Sequence, residues 1–509
     1  MIKNKPNVPF RDQIYRNVVS GWLAILLVVV TNIVITPVLL NSLGKEIYGI
    51  WFLIFNFLAY FYLTDFGITN ALTRLYAKYK VDPDYDPAKL ISTAYVLVFI
   101  IDVSLLFALL TFKDDVYSFL GIKSQFYRIF TLLFYVGLFE LMTQFILRVN
   151  IGILKGSHRY DIAYRFEGLA AGLRLVVVVV LLYLDAFDVV LFAALYSGSK
   201  VLSDAISFHY LREELKKFKF NFDKRSFTDL FDVGTSSLLT SVAGTLLNSL
   251  PILLFGKFFG VEKVFLYAVP FAISIILMRF INAVYHGVTP KAAELKALKE
   301  EGEIFSISSL GVKFAALLCF CVLLFFIVFG EELITLWLGT SVVNKHDFEM
   351  IHNILLVLLC FVFLETVQKV NIFIYKSVGL HWLVSLEVVC SVVVFYLISV
   401  GFFEYAQELI FALALFCVGC FKYCYYRMVG RQQIKTFSLP FMLVLLIGGL
   451  LIAALQINQI ESLMIKVAIF GFVVIVFSSL FLKYVFSAKE LKTISSQLIL
   501  LRARLLPIS

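Results

Sequence analysis

About fourteen apolar stretches, each near the roughly 20 residues that a helix needs to cross a bilayer, take up most of the chain and leave only short connections between them. The stretches run 18–40, 47–68, 90–112, 126–147, 162–184, 189–210, 231–255, 264–286, 308–330, 350–374, 380–403, 407–426, 439–456 and 463–486. With 61% hydrophobic and 16% charged residues and a mean hydropathy of +0.93, the 509-residue chain cannot present a soluble surface of ordinary polarity. Membrane strands would alternate in polarity, but Val176 to Leu182 and Leu317 to Val328 are apolar at every position. The fold class is therefore an all-α polytopic membrane protein.

Orientation follows from the basic residues. Lys3, Lys5, Arg11 and Arg16 precede the first span; Arg74, Lys78, Lys80 and Lys89 fill the second connection, and Arg148, Lys155, Arg159 and Arg165 the fourth. Further along, Arg212 to Arg225, Lys291 to Lys299, Arg427 to Lys435 and Lys489 to Arg504 continue the pattern at even-numbered connections and the tail. Odd-numbered connections hold only Lys45, Lys113, Lys123, Lys257, Lys263, Lys345 and Lys466. This asymmetry predicts a multi-pass protein with both termini cytoplasmic and an even number of spans. It also accounts for the net charge of +9 without nucleic acid as a partner. The first span reads as an uncleaved anchor, since the apolar run after Gly21 is too long for a signal peptide. All seven cysteines lie in or beside apolar spans of the second half, and without nearby His or carboxylate they read as packing residues, so no metal is expected.

The chain matches itself weakly at a shift of 216: Gly44 with Gly260, Glu46 with Glu262, Trp51 with Tyr267, Phe55 with Phe271, Thr73 with Thr289, Ala77 with Ala293 and Lys80 with Lys296. Two repeated halves follow: an N-terminal lobe over 1–210, a cytoplasmic linker over 211–230, a C-terminal lobe over 231–436, two further helices over 437–486 and a cytoplasmic amphipathic tail over 487–509. Both linker and tail have the mixed basic and apolar composition that suits membrane lipid headgroups.

One region carries a resemblance. Gly21-Trp22 and Thr36-Pro37 in the first span are followed by Leu43-Gly44, Tyr48-Gly49-Ile50-Trp51, Asp65-Phe66-Gly67-Ile68 and Thr73-Arg74. In order and spacing this segment resembles the N-terminal signature of bacterial O-antigen and polysaccharide flippases, members of the multidrug/oligosaccharidyl-lipid/polysaccharide exporter superfamily. The resemblance implies two pseudo-symmetric six-helix lobes forming a V around a central cavity, plus two C-terminal helices. It implies a substrate, a polyprenyl-pyrophosphate-linked oligosaccharide moved to the outer leaflet of the bacterial cytoplasmic membrane for surface polysaccharide synthesis, and no cofactor. A polysaccharide polymerase or export machinery is the implied partner.

Such cargo needs a cationic path, because an uncompensated charge in the bilayer interior costs several kcal/mol. Arg174 and Arg279, near mid-span with no opposite charge three or four residues away, are the first choices as pyrophosphate ligands. Lys369, Lys200, Arg128 and Arg165 complete the cationic candidates. Lys200 with Asp204, and Glu365 with Lys369, are spaced to pair on one helix face. Glu140, Glu167, Asp102 and Glu365 are candidates for coupling to H⁺ or Na⁺, with counter-ions to nearby arginines as the plainer role, and Glu387 is a further intramembrane acid. Asp65 and Arg74 belong to the signature, and along a continuous helix they would lie about 13 Å apart, too far to pair. Gly44, Gly49 and Gly67 fit tight turns or close helix contacts, and Trp22, Trp51 and Tyr60 to Tyr62 could face lipid or stack sugar rings.

The alternatives are a drug or metabolite antiporter, a peptidoglycan-precursor flippase and, from another class, a membrane polysaccharide polymerase. Against the last, the longest outer connection, about Glu331 to Glu349, is short. Asp82, Asp84 and Asp86 alternate with prolines and tyrosine in a cytoplasmic loop and do not read as a metal site. No Ser-His-Asp constellation, Walker loop or Rossmann glycine pattern stands out, which argues against ATP hydrolysis in this chain, and the expectation is a transporter rather than an enzyme.

Overall fold

Helices account for every regular element of the computed structural model, which describes residues 10–80, 82, 84, 86–216, 221–285, 295, 301–339, 343–377, 379–432 and 463–485. Within these residues no strand occurs, as uninterrupted apolar runs require. Among the described residues eleven helical segments are long and apolar enough to cross a membrane. The first of them, Val19–Asp65, has 47 residues, about twice what one crossing takes. It lies on α1 (Phe10–Ala59), which is interrupted at Gly44, where φ 79° and ψ 168° break the helix into the two expected spans. The expected span 439–456 and the tail from 487 lie outside the described residues.

The first half continues with a 3-10 turn (Tyr60–Asp65), α2 (Ile68–Tyr79), α3 (Pro87–Thr111), α4 (Lys113–Phe119), α5 (Tyr127–Gly156), α6 (Tyr160–Tyr183), α7 (Val189–Ala205), α8 (Ser207–Tyr210) and α9 (Arg212–Leu215). Then come α10 (Lys224–Phe259) and α11 (Val264–Tyr285). The second half holds α12 (Glu301–Leu338), α13 (Lys345–Ser377), α14 (His381–Gly401), α15 (Phe403–Ala406), α16 (Ile410–Gln432) and α17 (Leu463–Val485). Most of the segment expected as the longest outer loop is thus helical, on α12 and α13.

Aspartates start several helices. Asp86 accepts from the N–H of Ala88 with Pro87 opening α3, Asp188 accepts from Val190 and Leu191, and Asp223 accepts from Ser226. Each satisfies backbone donors that the first helical turn leaves open. Asp82 in the same loop takes the N–H of Asp84, so this acidic run serves local turns.

Packing divides the chain into two compact units. One runs to Val269 and takes in Leu338–Asn344; the other comprises Pro270–Trp337 and the chain from Lys345 onward. In the first unit α1 lies along α6, and α5 packs against α2, α3 and α7. The first block of the sequence match and the start of the second fall within it, and the backbones agree at the leading glycine: Gly260 has φ 85° and ψ 156°, close to Gly44. The contacts are reciprocal as well. Lys45 places its ammonium 4.9 Å from the ring centroid of Phe265, while Gly49 lies against the carbonyl of Val261. Shifting 45 and 49 by 216 gives 261 and 265, so each half supplies the same two positions. Lys123 joins the matched acids, 3.5 Å from Glu46 and 2.5 Å from Glu262.

The second unit is built on α13, α14 and α16. His352 meets the carbonyl of Phe326 at 3.0 Å, and Lys466 pairs with Glu332.

Candidate functional site

The first unit has a polar face inside its apolar packing. It follows α5, where Glu140, Gln144, Arg148 and Lys155 recur at spacings of four, four and seven and therefore share one side of the helix. Facing this side, Ser197 of α7 donates its hydroxyl to Glu140. One turn on, Lys200 bonds Asp204 at 2.7 Å, the pair expected from their spacing. The charges around Lys155 are Glu167, Arg148, Lys200 and Asp204, three cations and two acids when Lys155 itself is counted.

Arg174 reaches this region from α6. Its guanidinium stacks 3.7 Å from the ring centroid of Tyr196 and its Nε donates to the Tyr196 carbonyl at 3.4 Å; among the described residues it meets no carboxylate. Tyr196 also meets Trp51 edge-on, ring centroids 5.9 Å apart, and the buried indole N–H of Trp51 has no hydrogen-bond partner among the described residues. Arg148 stacks 4.0 Å over Tyr62 and likewise has no carboxylate partner among the described residues. Among the described residues, Gln144 Nε2 and Asp204 Oδ1 are buried without partners. The arrangement combines planar cations backed by aromatic rings with two unused donors and an unused acceptor, a combination suited to phosphate oxygens and sugar hydroxyls.

The remaining candidates fall elsewhere. Arg128 is exposed near the start of α5, twenty residues before Arg148 and thus on the opposite side of the helix. Arg165 is exposed on the side of α6 away from Arg174, whereas Glu167, seven residues before Arg174, is on the same side. Asp102 is buried in α3, 6% exposed, and its Oδ1 has no partner. The side chain of Arg279, on α11, lies outside the described residues.

Asp65 and Arg74 are not on one continuous helix. The 3-10 turn ends in two left-handed residues, Phe66 at φ 48° and Gly67 at φ 74°, before α2 begins. Asp65 accepts the N–H of Gly67 at 2.8 Å and so finds its partner locally, while Arg74 is exposed.

In the second unit Glu365 bonds Lys369 at 3.2 Å as its spacing predicts, and also Lys422 of α16 at 2.8 Å. Lys422 in turn lies 3.5 Å from Glu387, which accepts from Ser391 and from the hydroxyl of Tyr426. Arg148, Lys155 and Lys422 are absent from the sequence-derived candidates. The first two read as connection charges because the apolar run stops at 147, but α5 continues to Gly156 and carries both inside the helix.

The architecture is similar in fold to that of solved multi-pass transporters and flippases. The lipid II flippase MurJ in its inward closed conformation superposes with a TM-score of 0.73 over 91% of this chain and 98% of that one, at 12% identity. A MOP superfamily transporter from Pyrococcus furiosus gives 0.60 over 82% and 95% at 16%, and a mutant form of the Vibrio cholerae MATE transporter VcmN gives 0.60 over 83% and 98% at 12%. The chain itself belongs to the polysaccharide biosynthesis protein family, whose profile matches residues 14–296, more than half of its length. A putative O-antigen transporter of Shigella flexneri is 22% identical over 303 residues, 60% of this chain and 71% of that protein.

Proposed function

We propose that the protein flips polyprenyl-pyrophosphate-linked oligosaccharide units from the cytoplasmic to the outer leaflet of the bacterial cytoplasmic membrane, by alternating access, with both termini in the cytoplasm. The product feeds the synthesis of a surface polysaccharide such as O-antigen, capsule or exopolysaccharide, in concert with a polymerase and export machinery. The observation that carries this reading is Arg174, a mid-helix guanidinium backed by Tyr196 and unmatched by any carboxylate among the described residues. A guanidinium held this way in an apolar surrounding is paired fully only when an anion arrives. The family and the O-antigen transporter relative favour a polysaccharide cargo over a drug.

Replacing Arg174 by Gln should abolish surface polysaccharide in cells while leaving the amount of membrane-inserted protein unchanged; wild-type polysaccharide would remove Arg174 from the path. Arg279 has the same role in this reading, and R279Q should give the same phenotype.

Asp102 is the acid that would couple flipping to protons, since it is buried mid-span with an oxygen that has no partner among the described residues. In sealed vesicles, flipping by the wild type should respond to an imposed pH gradient and flipping by D102N should not. Equal responses would assign Asp102 a structural role.

A further inference from the structure

The helix that carries the polar face of the first unit has a counterpart in the second. Arg148-Val149-Asn150-Ile151-Gly152-Ile153-Leu154-Lys155 and Lys369-Val370-Asn371-Ile372-Phe373-Ile374-Tyr375-Lys376 share the pattern basic-Val-Asn-Ile-x-Ile-x-Lys at a separation of 221 residues. The structure treats the two alike. Asn150 and Asn371 are fully buried, and each accepts at Oδ1 a hydroxyl from a preceding long helix, Tyr95 of α3 in one case and Ser308 of α12 in the other. Each asparagine sits about 200° around its helix from the basic residue two positions before it, so anchoring the asparagine turns the two basic residues to the opposite side.

One turn before the motif the copies differ in charge. Position 144 is Gln in the first unit, 5% exposed with an Nε2 that has no partner; the matching position in the second unit is Glu365. Glu365 holds Lys369 at 3.2 Å and Lys422 at 2.8 Å. Among the described residues of the first unit no carboxylate pairs directly with Arg148, which rests on Tyr62, or with Lys155.

We propose that Gln144, Arg148 and Lys155 form a diphosphate-binding position in the first unit, and that Glu365 is the built-in anion that fills the corresponding position in the second. The guanidinium, the Gln144 amide N–H and the ammonium all offer donors to an anion, with Glu140 one turn before Gln144 and Glu167 and Asp204 near Lys155 as the acids of the surroundings. Seven residues separate Arg148 from Lys155, about 10 Å along the helix, a gap that two long side chains close onto two linked phosphates more readily than onto one. This assignment rests on the flippase reading for its cargo, but the anion site itself can be tested without transport.

Inorganic pyrophosphate is titrated into purified full-length protein in neutral detergent, with the thermal unfolding midpoint as readout. Wild type should be stabilised, R148Q and Q144E should need at least tenfold more pyrophosphate for the same shift, and R148K, which keeps the charge but loses the planar group stacked on Tyr62, should fall between wild type and R148Q. Q144E reproduces in the first unit the arrangement that Glu365 makes in the second. The size-exclusion profile and the ligand-free midpoint of each variant show that it is folded. Stabilisation of R148Q and Q144E equal to wild type, or none of the wild type, would overturn the proposal. A response abolished in nanodiscs by phosphatidylglycerol alone would reassign the position to a lipid headgroup and overturn it as a cargo site. Pyrophosphate binding as expected, with no flipping of a diphosphate-linked lipid in reconstituted vesicles, would leave the anion site standing and remove the flippase reading.

Discussion

Lys422 holds two carboxylates that come from two other helices, Glu365 and Glu387, and all three side chains are less than a tenth exposed. Removing one member of such a cluster leaves buried charge uncompensated, at a cost of about 3–5 kcal/mol. K422A should therefore lower the unfolding midpoint sharply in detergent, and E387Q added to it should recover part of the loss; a K422A midpoint equal to wild type would show that the cluster is not a stabilising unit. The pair Glu365 and Lys369 was legible in the sequence because four residues of helix bring their side chains together. Lys422 was not, because it lies 57 residues from Glu365 and only the packing of α16 on α13 joins them. Arg174 shows the same division. Its lack of a local acid could be read directly, whereas Tyr196, 22 residues away on the next helix, needed the fold.

Helix ends and breaks set the next scale. Gly44 interrupts α1 with a positive φ, and Gly49 permits a close approach: a Cβ there would lie 2.0 Å from the Val261 carbonyl oxygen. G49A should push the start of α11 away from α1 and destabilise the protein by about 1–3 kcal/mol, read as a lower unfolding midpoint and reduced yield of monodisperse protein. An unchanged midpoint would mean that this contact can relax at no cost. The sequence marks such glycines as candidates for turns or contacts, but which of the two applies depends on the partner. Gly44 and Gly67 make turns, while Gly49 makes a contact. Helix limits were less legible. The apolar run on α5 stops at 147, yet the helix continues to Gly156, because backbone hydrogen bonding does not end where hydrophobicity does. At the start of α10, Asp223 accepts the backbone N–H and the hydroxyl of Ser226, which hold its carboxyl below the usual range. That cap is in place above the ordinary carboxylate pKa and is lost only as pH falls through the lowered one.

For the whole molecule, the asymmetry of lysine and arginine makes the strongest prediction. Reporter fusions after Lys123, Asp188 and Lys345 should report the outer side of the membrane, and those after Lys80, Lys224 and Lys299 the cytoplasm; a reversed or mixed pattern would overturn the orientation. The sequence by itself determined that the chain is a bundle of membrane helices. In lipid every backbone polar group must be satisfied within its own segment, so continuous apolar runs leave no other regular structure. It also offered a weak self-match at a shift of 216, within which Gly44 and Gly260 share a positive-φ backbone. What only the tertiary structure decided is which intramembrane charges are spent on each other and which are left over. Glu365 and Lys200 proved committed to partners, and Arg128 and Arg165 turned away, while Arg148 and Arg174 came to rest on aromatic rings without a counter-ion among the described residues. Pairing across helices depends on distances of about 3–4 Å between residues far apart in the chain, and hydrophobic patterning specifies only that a helix exists and roughly which segments it contains, not which neighbour each of its faces will meet.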